Sequence, residues 1–150
     1  MNRPYQRKGS KSNTDVGNTF KEKVKIFFES QEGITLTRNI SVDIGIRSLK
    51  PHKFDLGNLQ EKILIECKSH KWTQGGNVPS SKIIAWDQAM FYFHLLRGNY
   101  RKIFCVLRDY NIKKDETLAQ YYIRTKEHLI PCDVEIWELD EEREVAERIR

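Results

Sequence analysis

Lys62 to Ser69 reads KILIECKS, the most strongly β-like segment of the chain. Side chains alternate along a strand, so Ile63, Ile65 and Cys67 take one face. Glu66 and Lys68 take the other, joined by His70 if the strand runs on. A segment this apolar belongs at the centre of a sheet, covered on at least one side. A carboxylate and an ammonium placed there cost free energy unless they are paired or hold an ion. The segment therefore demands a layered sheet and a reason for two charges inside it.

The rest of the chain supplies the layers. Thr14 or Asp15 can cap a helix whose apolar face is Val16, Phe20, Val24, Phe27 and Phe28, and Gly33 ends it. Two β-type runs follow at 34–40 and 41–48, the second with Val42, Ile44 and Ile46 alternating. After Pro51, His52 to Leu56 is a short strand and Gly57-Asn58 opens a turn. WTQGGNVPSS is a loop, and Ser80 or Ser81 can cap a helix running to about Leu96. KIFCVL is a buried strand, 115–129 a helix, VEIWEL a last strand, and the charged tail a further helix. This order predicts an α/β fold with a central mixed sheet flanked by helices. It gives a single domain at 14–150 behind a flexible basic arm at 1–13.

Composition narrows the class. The chain has 150 residues, which fits one domain, and 39% hydrophobic with 31% charged residues is ordinary for a globular protein. No apolar run approaches the roughly 18 residues of a membrane span. The N-terminus lacks the apolar core of a secretory signal, so a cytoplasmic location is expected. Three widely spaced cysteines without a C-x-x-C suggest neither a disulfide framework nor zinc. Net charge is +5, concentrated in the arm (Arg3, Arg7, Lys8, Lys11) and the body, while 138–150 is acidic. A basic arm and body suit a polyanionic partner.

Asp55 gives the buried charges a reason. A hairpin centred between Gln60 and Glu61 sets Asp55 opposite Glu66, with Cβ atoms about 4.5–5.5 Å apart. Two carboxylates that close repel, unless one is protonated or a cation lies between them. Hard oxygen ligands with room for water and phosphate suit Mg²⁺. Lys68, next along the Glu66 face, could orient a water or stabilise charge on a phosphoryl oxygen. Acid-x-base triplets are cheap, and this chain has a second one at Glu141-Glu142-Arg143. The first differs in lying inside an apolar strand with an aspartate opposite.

FD-x10-ECK on a hairpin, with a helix before it and a helix and strand after it, resembles the PD-(D/E)XK nuclease superfamily. That superfamily includes restriction endonucleases, Holliday junction resolvases and repair nucleases. The resemblance covers roughly residues 14–108. It implies a restriction endonuclease-like core and a Mg²⁺-dependent endonuclease acting on DNA, with Mn²⁺ able to substitute. It implies Asp55, Glu66 and the backbone carbonyl of Cys67 as metal ligands, and Lys68 as the residue assisting the attacking water. Phe54 stands where the motif has proline. Many members carry a glutamate on the first helix just after an aromatic residue. Here Lys21 follows Phe20, and Glu22 lies on the far side of the apolar stripe.

Further residues could serve such a site. Gln88 falls with Ile84, Phe91 and Leu95 on one helical face, and some members of the superfamily carry a glutamine on that helix near the active site. It is therefore a catalytic candidate beside Asp55, Glu66 and Lys68. His70 could contact phosphate, whereas His52 and His94 read as surface residues. Lys71, Trp72, Gln74 and Asn77 form a loop beyond the site whose residue types suit phosphate and base contact. Lys82, Arg97, Arg101 and Lys102 add positive charge. Arg3, Arg7, Lys8 and Lys11 could track a phosphate backbone.

Three classes of function follow. One is a DNA endonuclease. The second is a catalytically silent DNA-binding or assembly module on the same fold. The third is an unrelated α/β protein with an accidental hairpin. A chain this short leaves little for a separate recognition domain, so cutting both strands calls for a homodimer or a partner subunit.

Overall fold

The computed structural model describes residues 12–150. The first helix, α1 (Asn13–Glu32), is capped by Ser12, whose hydroxyl accepts the Asp15 N–H at 3.1 Å. The cap thus falls earlier than Thr14 or Asp15. Gly33 ends the helix in the left-handed region at φ 64°, where a side chain is disfavoured, and its N–H returns to the Glu29 carbonyl. The Glu29 carboxylate accepts the Leu36 N–H at 2.8 Å and so aims the chain into the sheet.

The strands are β1 (Thr37–Ile44), β2 (Lys50–Asn58), β3 (Ile63–Lys68), β4 (Arg101–Leu107), β7 (Val134–Asp140) and β8 (Val145–Arg148). They form one six-stranded mixed sheet in the order β1-β2-β3-β4-β7-β8. The three central strands β3, β4 and β7 are parallel, and the others pair antiparallel. Helix α2 (Ser80–Leu95) connects β3 to β4. Helix α3 (Leu118–Lys126) and a 3-10 turn (Glu127–Leu129) lie between β4 and β7. A two-stranded hairpin, β5 (Tyr110–Asn111) and β6 (Glu116–Thr117), precedes α3. The architecture is therefore α/β, a mixed sheet flanked by three helices. Among the described residues no helix is long and apolar enough to cross a membrane.

Two cores sandwich the sheet. Phe20, Val24 and Phe28 of α1 pack on Leu56, Ile63, Ile65, Cys67, Ile103 and Cys105. On the other face Ile83, Trp86, Met90 and Phe93 of α2 and Tyr122 of α3 cover Leu64, Phe104, Val106 and Ile136. Strands β3 and β4 are buried on both faces, which is why KILIEC and KIFCVL read as nearly unbroken apolar runs. Gly57 lets β2 approach β3 closely, since a Cβ there would stand 2.8 Å from a Leu64 methyl.

Several local expectations are corrected. The runs at 34–40 and 41–48 are one strand, and Ile46, expected to alternate inward, lies 70% exposed beyond its end. The charged tail is not a helix: its residues Val145 to Arg148 pair antiparallel with β7 as the edge strand β8. Glu138, in β7, is buried and accepts the Thr117 hydroxyl at 2.7 Å. The helix expected from 115 begins only at Leu118, where Thr117 and Gln120 form a capping box.

Candidate active site

The β2–β3 hairpin has the register expected of a turn centred between Gln60 and Glu61: Leu56 pairs with Ile65, Gly57 with Leu64 and Asn58 with Ile63. The ladder ends there, one residue before Asp55 and Glu66. In a regular strand Phe54 and Leu56 would share a face. Instead Phe54 packs beneath α2 and Leu56 beneath α1. The twist falls at Asp55 and at Asn39, which lies between the register pairs Arg38–Leu56 and Ile40–Phe54 and has φ 55°. Strand β2 thus leaves β3 at Asp55.

The Asp55 side chain fills the resulting gap. Its Oδ2 accepts the Cys67 N–H at 2.8 Å, a bond that a continuing ladder would have given to the β2 backbone. Its Oδ1 pairs with the Lys21 ammonium of α1 at 2.9 Å. Lys21 flanks the buried Phe20 and Val24, so its stem lies along the core while its head reaches the sheet. Glu22 is exposed. On the first helix the residue that meets the hairpin is therefore the lysine.

Glu66 belongs to the α2 face. It is 5% exposed, and its Oε1 lies 3.3 Å from His52 Nε2. Burial pushes its carboxyl up, the His52 contact opposes this, and the Asp55 charge adds to the rise. Asp55 thus has two nitrogen partners and Glu66 one, and the Asp55 charge acts on the Glu66 carboxyl. The His52 ring stacks on Tyr92 of α2, with centroids 4.0 Å apart, and meets Phe54 edge-on at 4.7 Å. His52 is not the plain surface residue expected. Its alternation with Phe54 along β2 was the available signal. Lys68 is half-buried at the end of β3, on the same side as Glu66 and close enough that its charge acts on that carboxyl.

Other candidates separate. Gln88 is exposed, as are Ile84 at 68% and Phe91 at 49%. The face expected to be apolar core is the outward one, because α2 buries Ile83, Trp86, Ala89, Met90 and Phe93. Gln88 sits one turn before Tyr92, whose ring backs His52. His70 turns to α2, where its Nδ1 accepts the Trp86 indole N–H at 2.9 Å. An indole only donates, so Nδ1 is unprotonated and the imidazole neutral. Burial first, then the charges of Lys68 and Lys82, lower His70 to about 4.

The loop residues divide as well. Lys71, Gln74, Asn77 and Lys82 are exposed. Trp72 is not a nucleic-acid contact surface: it is 8% exposed, and its N–H and indole N–H both donate to Asp109, at 2.8 and 3.0 Å. Its ring is part of the core under α3, where it meets Tyr121 edge-on. Arg101 pairs with Glu135 and Glu32, and Lys102 with Asp133, so neither adds unpaired positive charge. Arg3, Arg7, Lys8 and Lys11 lie outside the described residues.

Among the described residues, no three His, Cys, Asp or Glu side chains converge as a metal cluster. The donor set at the gap is of another kind. Asp55 and Glu66 offer two carboxylates. The Cys67 carbonyl leaves its strand on the same side as the N–H that Asp55 takes, since paired residues exchange both groups. Three hard oxygens of this sort suit a small divalent cation better than a soft one. The chain matches no protein-family model, and comparison with curated proteins and with solved structures finds no match.

Proposed function

We propose that the chain is a metal-dependent DNA endonuclease with a restriction endonuclease-like core. The observation that carries this is the interruption of the β2–β3 ladder at Asp55, whose carboxylate takes the Cys67 N–H beside the buried Glu66. Placing a second, buried carboxylate beside one that already takes a ladder N–H costs the sheet free energy, which the Lys21 and His52 contacts offset in part. A cation site offsets the rest. Asp55, Glu66 and the Cys67 carbonyl would hold Mg²⁺, or Mn²⁺ in its place. When bound, the ion supplies Lewis-acid stabilisation of the charge that builds on a phosphodiester. Lys68 orients the attacking water and stabilises charge on a phosphoryl oxygen. His52, pressed between Glu66 and Tyr92, fixes the Glu66 carboxylate in place. DNA is the partner, and cutting both strands calls for a second copy or a partner subunit.

A second reading has its own support. The Lys21 ammonium on Asp55 supplies one of the positive charges that the site needs. That favours a catalytically silent DNA-binding or assembly module on the same fold. Supercoiled plasmid, linear duplex and branched DNA incubated with Mg²⁺, Mn²⁺ or EDTA separate the two. The nuclease reading expects metal-dependent cleavage that Glu66→Gln and Lys68→Ala each abolish. Cleavage that survives both substitutions rejects this site. DNA binding without cleavage of any substrate selects the second reading.

A further inference from the structure

The β5–β6 hairpin stands beyond the carboxyl ends of β3 and β4, where Lys68 pairs in register with Val106. Its tip, residues 112–115, carries Ile112 with 84% exposure, the highest value among the exposed large hydrophobic side chains. Lys113 and Lys114 follow at once. A cleft of about 490 Å³ separates the hairpin from the loop after β3, with Lys71, Gln74, Ile112 and Lys113 on its walls.

This tip is firmly mounted. Trp72 donates twice to Asp109 at the hairpin's base, and Asn111 donates to the Gly76 carbonyl at 3.0 Å across the cleft. Asn111 also accepts the Lys114 N–H at 3.2 Å, which closes the turn, and the Lys114 ammonium lies 5.6 Å from the centre of the Trp72 ring. Of the nearby acids only Glu116 is in an ion pair, with Arg124, while Asp109 and Asp115 accept the neutral Trp72 N–H and Tyr110 hydroxyl and keep their charge. Among the described residues Lys71 and Lys113 form no ion pair. The tip carries two lysines against Asp115, and Lys71 faces it across the cleft, so the charge around Ile112 is positive on balance.

We propose that the hairpin is a DNA wedge. Lysines 71, 113 and 114 meet phosphates on either side while Ile112 enters a base step. This rests on the reading of the chain as a DNA nuclease and goes beyond it to the kind of DNA bound. Nucleic acid offers anionic rails with apolar base faces between them, which complements an apolar tip ringed by cations. Insertion requires a stiff wedge, and the three bonds from Trp72 and Asn111 provide the stiffness. Unstacking is least costly at a kinked, nicked or branched step, so the hairpin selects deformable DNA over continuous duplex.

The test uses the full chain in EDTA, with a duplex of about 30 base pairs, either intact or centrally nicked, carrying 2-aminopurine beside the nick. Anisotropy is measured across a salt series. Wild type is expected to bind the nicked duplex roughly fivefold tighter than the intact one and to raise the 2-aminopurine emission. Ile112→Ser loses both the preference and the emission rise. Lys113→Ala weakens binding to both duplexes alike and lowers the salt slope by about one. Binding to neither duplex, an unchanged preference in Ile112→Ser, or an unchanged slope in Lys113→Ala overturns the proposal. So does a change in sedimentation of free Ile112→Ser, which would assign the tip to a protein interface. Plasmid cleavage by Glu66→Gln keeps the two readings apart. If that variant still cuts while Ile112→Ser loses the wedge signals, the wedge stands and the active site falls. If Glu66→Gln is inactive while Ile112→Ser keeps every signal, the reverse holds.

Discussion

Replacing Lys21 with methionine removes the ammonium from Asp55 and keeps the stem that lies along the core. The pair is 2.9 Å apart, with side chains 27% and 15% exposed. Unit charges about 4 Å apart interact by about 4 kcal/mol at an effective dielectric constant of 20. Partial exposure and the cost of desolvating both ions reduce this, so the variant should lose about 1–2 kcal/mol in EDTA. In Mg²⁺ the outcome changes if Asp55 and Glu66 hold the ion. Wild type must move an ammonium aside or share the site with it, and the variant has no such competitor. Its apparent Mg²⁺ affinity should rise about tenfold, equivalent to about 1.4 kcal/mol, and the stability gap to wild type should close. Urea unfolding followed by tryptophan fluorescence, in EDTA and in millimolar Mg²⁺, measures both terms without any DNA. A loss in Mg²⁺ as large as that in EDTA would refute the reasoning: Lys21–Asp55 would then be a plain structural ion pair.

Three other outcomes are expected. Burial raises the Glu66 carboxyl above its ordinary value, so the folded state holds that proton more tightly than the unfolded state. The associated stability is full below the unfolded pKa near 4.3 and is lost as pH rises through the folded value, so metal-free Glu66→Gln should be more stable than wild type at pH 7, by about 1 kcal/mol, with the gap vanishing at pH 4 in urea titrations. His70 has the opposite sign: lowered to about 4, it favours folding above pH 6.5 and loses that contribution as pH falls through 4. His70→Phe should flatten the acid limb of a stability–pH curve measured by thermal unfolding. Phe28, 1% exposed and edge-on to Trp137 at 5.0 Å, should cost about 3–5 kcal/mol when changed to alanine, as read from the urea midpoint.

Much of the frame was legible from residue order. The alternation in KILIECKS, the turn residues 59–62 and the apolar run KIFCVL determined a hairpin and a further buried strand, because strand periodicity and turn chemistry are local properties. They also fixed the register as far as Leu56–Ile65, which leaves Asp55 close enough for its charge to act on Glu66. Phe20, Val24 and Phe28 of the α1 stripe are buried as their spacing implies, whereas Val16 at its start is 39% exposed.

Tertiary packing decided the rest. Periodicity does not say which of two apolar faces of a helix is covered, and α2 is apolar nearly all round, so Gln88 was assigned inward and is exposed. A tryptophan in a Gly-rich loop looks free until Asp109, 37 positions on, takes both of its N–H groups. An acidic tail reads as a solvated helix until β7 offers it an edge to pair with. Lys21 reaches Asp55 from α1 on one face of the sheet, and His52 reaches Glu66 from β2 beneath Tyr92 of α2 on the other. Local sequence therefore set the strands and the neighbourhood of the two acids, through periods that a few residues suffice to express. Which nitrogens partner those acids was left to long-range packing, which no short window of the chain contains.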